Sequence, residues 1–259
     1  MSKIVGKPLK TFGKMKRLAK AHNGMGCENL RRLYIGTLEP MVLYGCEMWG
    51  QRMRGRGEKT KLMSLQRKLL LGVIKGYSTI SHKAVRVIAG VIPLDLMIEE
   101  RLKRRRDKEA GMDNNESKRT RREETLTEWQ RRWETSTKGR ETFAFVPDVR
   151  QRKIVHWETD HYTTQFVSGH GNFKAKLKSF NLVENDECTH CGNLETSEHV
   201  LMECGYYEQE RREMRDFLQE QRWNWEKINF LRSKESAVIF SRMCRRIGSK
   251  KHEHENERR

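Results

Sequence analysis

The sequence predicts a mainly α-helical protein with one small metal-binding region of minor β character. Apolar residues recur at three- and four-residue steps through most of the chain, the period of amphipathic helices. Only 36% of the 259 residues are hydrophobic and 34% are charged, so small units with solvated connectors fit better than one large core. Four soft metal ligands fall within "CTHCGNLETSEHVLMEC", in a chain with six cysteines in all.

Taken in order, Met15, Leu18, Leu30, Leu33, Tyr34, Leu38, Met41, Tyr44 and Trp49 give helices between Lys14 and Trp49, punctuated by Gly24, Gly26 and Pro40. Leu62, Leu65, Leu69, Val73 and Ile74 share one face of a helix from about Lys59 to Lys75, closed by Gly76. A short helix fits Ser81 to Ala89, with Ser81 as N-cap and Gly90 just past its end. Pro93 starts another, from Leu94 to about Arg105. The run "RLKRRRDKEAGMDNNESKRTRREE" has almost no apolar residue after Leu102 and reads as a frayed helix or linker at a domain boundary. Beyond it Trp129 and Trp133 share a helix face, and the alternation over Thr142 to Val146 predicts a strand ended by Pro147. Residues 161–182 form a helix pair broken by Gly169-His170-Gly171. Tyr207, Met214, Phe217 and Leu218 mark a further helical face. The last helix runs from Lys227 to Ile247, with a polar, disordered end expected after Gly248.

The net charge is +18, and a chain this basic is expected to meet a polyanion. The excess is uneven: +9 over residues 1–60 and +6 over 101–140, but −4 over 141–204. Lys14, Lys16, Arg17 and Lys20, then Arg31, Arg32, Arg52, Arg54 and Arg56, are the candidate phosphate contacts to RNA or DNA; Trp49 and Tyr44 are secondary candidates for base stacking. No apolar run is long enough to cross a bilayer and no secretory signal opens the chain, so a soluble, intracellular protein without a membrane partner is expected. In a reducing compartment its cysteines stay unpaired, and Cys27, Cys46 and Cys244, which lack ligand spacing, read as buried small hydrophobes. Ser78, Thr79 and His82 form no organised triad, and no carboxylate pair suggests acid–base chemistry, so no catalytic residue and no small-molecule substrate is predicted.

The remaining motif is C-x2-C-x7-H-x4-C, formed by Cys188, Cys191, His199 and Cys204. Three thiolates and an imidazole suit one tetrahedral zinc ion, and four protein ligands leave no position for water, which makes the site structural. Gly192 supplies the loose backbone of a tight knuckle, Ser197 is the expected N-cap of the helix carrying His199, and Gly205 stands where a C-cap glycine would. In a regular α-helix, residues five apart lie about 140° around the axis from each other, so that helix must end near Cys204. His190, between the two thiolates, should point outward, and His170 reads as a turn residue.

The segments "LRRLYIGTLEPMVLYGCEMWG", "LMSLQRKLLLGVIKGYSTISHKAVRVIAGVIPLDLMIEER", "WQRRWETSTKGRETFAFVPDV" and "TTQFVSGHGNFKAKLKSFNLVENDECTHCGNLETSEHVLMEC" follow one another in an order that resembles the C-terminal part of non-LTR retrotransposon reverse transcriptase polyproteins, the arthropod type that inserts into ribosomal RNA genes. The tail "WNWEKINFLRSKESAVIFSRMCRRI" is similar to the helical end of the same proteins. The resemblance implies a helical thumb-like domain over 1–100, a charged linker helix over 101–140, a zinc-binding region over 141–205 and a helical tail over 206–259. It matches Cys188, Cys191, His199 and Cys204 to the family's zinc ligands. It also implies a partner role with template RNA and target DNA during target-primed reverse transcription, beside an upstream polymerase domain, in the nucleus after passage through the cytoplasm. Polymerases of this family carry an aromatic-x-Asp-Asp turn for two-metal chemistry. The seven aspartates here, at 95, 107, 113, 148, 160, 186 and 216, include no adjacent pair, so the chain reads as a non-catalytic fragment. The alternative is a zinc-stabilised protein-interaction module docking through residues 206–247, or a retrotransposon relic without selected activity. Salt dependence of nucleic-acid binding separates a phosphate grip from a protein-docking surface.

Overall fold

Helix formation begins where Gly26 gives way to the apolar-spaced run that follows it. In the computed structural model, which describes residues 10–11, 13, 24–51, 55–112, 114–155, 157 and 159–256, α1 spans Cys27–Leu33 and continues through a wide π turn, Tyr34–Leu38, into α2, Glu39–Leu43. Next come α3 (Cys46–Trp49), α4 (Arg56–Val73), α5 (His82–Ala89), α6 (Leu94–Glu109) and α7 (Asn115–Glu134). The second half holds α8 (Arg140–Phe145), α9 (Gln151–Ile154), α10 (His161–Ser168), α11 (Lys174–Lys178), α12 (Glu208–Glu220), α13 (Lys227–Phe230) and α14 (Lys234–Asn256). Among the described residues the β content is one antiparallel bridge, Glu187 to Leu194. The mainly helical class with minor β is therefore what the sequence predicts.

Local chemistry sets several helix ends. The Ser81 hydroxyl accepts the Ala84 N–H at 3.2 Å, and Gly90, at φ 63°, closes α5 in the left-handed region a side chain disfavours. Two arginines finish that end: Arg31 Nε donates to the Ala89 carbonyl at 2.8 Å, and buried Arg152 Nε donates to the Ile88 carbonyl at 3.0 Å. Cations there oppose the negative end of the helix dipole. Helix α4 ends at Val73, two residues short of the expected Lys75, and Lys75 itself takes φ 51°. Its terminal carbonyls are met by α10: Thr164 Oγ1 donates to Ile74 O at 2.8 Å, and His161 Nδ1 lies 3.0 Å from Lys75 O.

Gln66 organises the first half of the core. Its amide nitrogen donates to the Tyr34 hydroxyl at 3.3 Å and to Ile92 O at 2.9 Å, while its oxygen accepts Arg86 Nε at 2.8 Å and Leu94 N–H at 3.2 Å. A buried amide satisfied this fully fixes α4 against the π turn, α5 and α6.

The charged run after Leu102 is not frayed. Helices α6 and α7 form an antiparallel hairpin whose rungs are Arg121 on Asp107 (2.8 Å), Arg122 on Glu100 (3.0 Å) and Lys103 on Glu124 (2.8 Å). Asp95, buried beneath them, meets Arg132 at 2.6 Å and Lys59 at 2.9 Å. Burial alone would raise its carboxyl; the two cations overcome that and hold it below the ordinary range. The Arg121 fork likewise draws Asp107 down to about 2.

Two other expectations are corrected. Residues 142–146 are not a strand: Arg140–Phe145 is helical, with Thr142 and Phe145 buried at i,i+3 spacing. Over so short a stretch a two-residue and a 3.6-residue period cannot be told apart. The last helix also does not stop at Gly248. It begins at Lys234, after the separate short α13, and runs on to Asn256. Gly248 is there for close packing, because a methyl group at that position would overlap the Tyr162 ring. Gly248→Ala should therefore destabilise the protein by about 1–3 kcal/mol, as overpacking does, read as a lower denaturation midpoint; an unchanged or raised midpoint would contradict the close contact.

One apolar cluster extends from Leu30 through Trp129, Trp133 and Val149 to Ile247. Its second half is built around Phe145, Phe230 and Phe240, whose ring centroids lie 5.3–6.4 Å apart. Helices α12 and α14 pack against each other, and the metal-ligand segment lies beside them.

Candidate metal centre and basic surfaces

The knuckle is made by backbone before any ligand is considered. Cys188 N–H donates to Asn193 O at 2.6 Å, Gly192 N–H donates to Cys188 O at 2.9 Å, and Gly192 sits at φ 75°, where glycine carries no Cβ penalty. The bridge from Glu187 to Leu194 closes the loop at its base. The second pair of ligands comes from a single π turn, His199–Glu203. The turn runs on from helical Ser197 and Glu198, so Thr196 and not Ser197 caps the whole segment: Thr196 Oγ1 accepts His199 N–H at 3.0 Å. In the wider turn Cys204 N–H reaches back to His199 O at 2.8 Å. Residues five apart thus stack one above the other instead of diverging as they would in an α-helix.

The four ligand atoms of Cys188, Cys191, His199 and Cys204 all lie within 4.8 Å of one another. Cys188 Sγ is 3.8 Å from Cys204 Sγ, Cys191 Sγ is 4.0 Å from Cys204 Sγ, and Cys191 Sγ is 3.1 Å from His199 Nε2. A tetrahedral ion with bonds of about 2.3 Å to sulfur sets its thiolates about 3.8 Å apart, so the sulfur spacing fits zinc. With Nε2 turned to the cluster, His199 Nδ1 faces the Glu203 carboxylate at 3.4 Å, the outer partner that fixes an imidazole's tautomer. Burial, reinforced by the neighbouring Cys188 and Cys191, pushes the Cys204 thiol up to about 12, whereas a divalent cation stabilises the thiolate form. The group can hold a metal ion, and three of its four members are buried.

Two side chains that sequence reasoning missed, Arg211 and Glu195, support it. Arg211, fully buried on α12, donates from Nε to Leu201 O at 2.8 Å and from Nη2 to Val200 O at 3.3 Å and Cys204 O at 2.6 Å; its Nη1 meets Glu208 at 2.9 Å. The signal was present, since Arg211 falls in the apolar-face series Tyr207, Arg211, Met214, Leu218. Glu195, inside the motif, accepts Lys174 N–H at 3.1 Å and the Lys251 ammonium at 2.7 Å, a buried pair that ties the knuckle to α11 and α14. His190 does point away from the cluster, and its ring stacks on Tyr206 with centroids 3.5 Å apart.

Of the nine cationic candidates, Lys14, Lys16, Arg17, Lys20, Arg52 and Arg54 lie outside the described residues, and Arg56 is described only as the first residue of α4. Arg31 is directed inward to the end of α5, as above. Arg32 points outward, its side chain 73% exposed, with a 3.3 Å contact to Glu28. Tyr44 is 84% exposed, and the Trp49 indole donates to its carbonyl at 3.0 Å. A basic surface that the sequence reading did not single out lies on α6, where Arg101, Arg104, Arg105 and Lys108 line a cavity of about 450 Å³ with Glu47. Among the described residues no helix is long and apolar enough to cross a membrane.

No family model and no solved structure significantly matches the chain. Curated relatives do. It is 29% identical over 218 residues to the retrovirus-related Pol polyprotein from type-1 retrotransposable element R1 4 of Nasonia vitripennis, covering 78% of this chain and 55% of the relative. It is 32% identical over 213 residues to the putative 115 kDa protein in type-1 retrotransposable element R1DM of Drosophila melanogaster, covering 75% of this chain and 21% of the relative. A third, the R1 Pol polyprotein of Bradysia coprophila, is 28% identical over 219 residues, with 78% and 22% covered. The chain is a homologue of arthropod R1 retrotransposon Pol polyproteins. This R1 Pol homologue spans about half the length of the first relative and about a fifth of the other two.

Proposed function

We propose that this R1 Pol homologue is a zinc-organised, non-catalytic unit that grips RNA or DNA, and that within a longer Pol protein it holds template or target during target-primed reverse transcription. The α6 surface carries this reading: four cations at i, i+3, i+4 and i+7, of which Arg105 also pairs with Glu109 at 2.8 Å, face one shallow cavity whose lining holds, among the described residues, a single carboxylate, Glu47. Zinc is the ion assigned to Cys188, Cys191, His199 and Cys204, where it would supply structure with no open coordination position. The division of labour follows: helices near the beginning and the α6–α7 hairpin contact phosphates, the region over 141–205 is shaped by metal, and the tail over 206–259 buttresses it.

Fluorescence anisotropy of the full chain with a labelled single-stranded oligonucleotide tests the grip. Four phosphate contacts to a single strand should weaken binding about 50-fold between about 50 and 200 mM salt. Arg104→Ala combined with Lys108→Ala should flatten the log–log salt slope by about 1.4. Binding indifferent to salt, or no binding in dilute buffer, would overturn the proposal and favour the protein-docking alternative.

A further inference from the structure

The net-negative segment 141–204 contains, beside the metal centre, a cleft whose lining is not negative. A cavity of about 460 Å³ opens between α10, α11 and α14 and is closed on one side by the loop after α4. Tyr77, His161, Phe180 and Leu182 contribute its apolar and aromatic walls, Lys176 its cationic rim beside His252, and among the described residues none of its lining is a carboxylate. Tyr77 and Phe180 are 41% and 44% exposed, large ring surface left facing solvent. The Tyr77 ring lies 5.5 Å from that of His161, and Lys176 Nζ stands 5.2 Å above Phe180.

A second cavity of about 330 Å³ shares Asn172, Leu177 and Lys251 with the first and reaches His190 on the knuckle. The one carboxylate in its lining among the described residues, Glu195, is 3% exposed and held by Lys251 at 2.7 Å, so it presents little charge to a ligand. The floor is stiff: Gln165 Oε1 accepts Asn172 N–H at 3.0 Å, and Phe166 and Phe173 pack with centroids 5.2 Å apart beneath it.

Exposed rings beside cations, in a concavity of nucleotide size without an available negative charge, match the way single strands are held: bases stack on rings while ammonium groups meet the backbone. We infer that this paired cleft is a single-strand site, taking an unstacked base against Tyr77, His161 or Phe180 with the backbone passing Lys176 and Lys174 toward His190. A duplex, whose bases are already stacked, gains nothing from the rings. The inference rests on the nucleic-acid reading above and adds to it a strand state and a location.

The test compares a single-stranded oligouridylate, a single-stranded oligothymidylate and a duplex of equal charge, each bound to the full zinc-loaded chain. Tyr77→Ala and Phe180→Ala should each weaken single-strand binding about 5- to 150-fold, the range for loss of one stacked base, and leave duplex binding unchanged. Lys176→Ala should reduce the single-strand salt slope by about 0.7. Photocrosslinking from 4-thiouridine should label peptides within 77–79 or 161–182. Loss of duplex and single-strand binding together, or no loss on either ring substitution with crosslinks elsewhere, overturns the cleft while leaving the α6 grip standing. Absence of binding to all three ligands overturns both. The two single strands distinguish RNA from DNA as the occupant.

Discussion

Removing the metal from the full chain with a strong chelator at neutral pH is expected to unfold the knuckle and its buttress while the first helices persist. The ligand segment has little regular structure of its own: one π turn, one bridge and a tight loop. Three thiolates and a ring nitrogen within 4.8 Å of each other are tolerated because a cation sits among them in the proposed holo state. Structural zinc contributes on the order of 10 kcal/mol of apparent folding free energy in small sites. Hydrogen exchange followed by mass spectrometry should show residues 185–207 losing protection after chelation, and α12 fraying next, since Arg211 bonds to that segment. The hub at Gln66 should stay protected, because its four hydrogen bonds lie within α4, α5, α6, the loop between α5 and α6, and the first π turn. Cys204→Ser should reproduce the local loss, with tightly bound metal falling below one equivalent. Identical exchange in stripped and zinc-loaded protein, or full metal binding by the variant, would remove the metal from this account.

The ligand set was legible because it is local: a two-residue gap between cysteines and a ligand pair on one turn are written within a single stretch. What the stretch could not show is the π geometry, since an α-helix sends His199 and Cys204 apart and only the i to i+5 bond brings them together. The charge total was harder to read. Arg31, Arg152 and Arg211 each look like surface cations in sequence, yet each donates to backbone carbonyls at the end of a helix or turn. Part of the positive excess is therefore structural, and among the described residues an exposed share lies on α6 and at Arg32. Composition likewise hid the α6–α7 hairpin, because its order comes from pairs such as Asp107 with Arg121 that are distant in sequence and adjacent only after the chain reverses. Gly248 reads as a stop until Tyr162, from another helix, is placed against it.

Arg211 is the residue whose loss should cost most outside the ligand set. Val200 and Leu201 lie within the π turn and Cys204 closes it; the Cys204 carbonyl also accepts Tyr207 N–H at 3.1 Å, and the guanidinium meets all three carbonyls while Glu208 balances its charge. Arg211→Met keeps much of the apolar stem but takes this donor from the buried Val200 and Leu201 carbonyls, each costing about 1–3 kcal/mol, while Cys204 O keeps the Tyr207 N–H. A total of about 2–6 kcal/mol is expected from those two carbonyls; Glu208, 55% exposed and also paired with Arg215, adds little when its partner goes. Arg211→Lys should recover only part, because one ammonium cannot span three acceptors and a carboxylate as the planar fork does. A packing role alone would lower stability and leave the metal constant of the folded protein alone. Positioning of Cys204 predicts more: competition with a chromophoric chelator should show zinc affinity falling about 10- to 100-fold, the usual effect of losing an outer support of a metal ligand. Wild-type zinc affinity in a folded Arg211→Met protein would show that the turn holds its shape without the arginine. Weakened affinity partly restored by lysine would place Arg211 in the construction of the site.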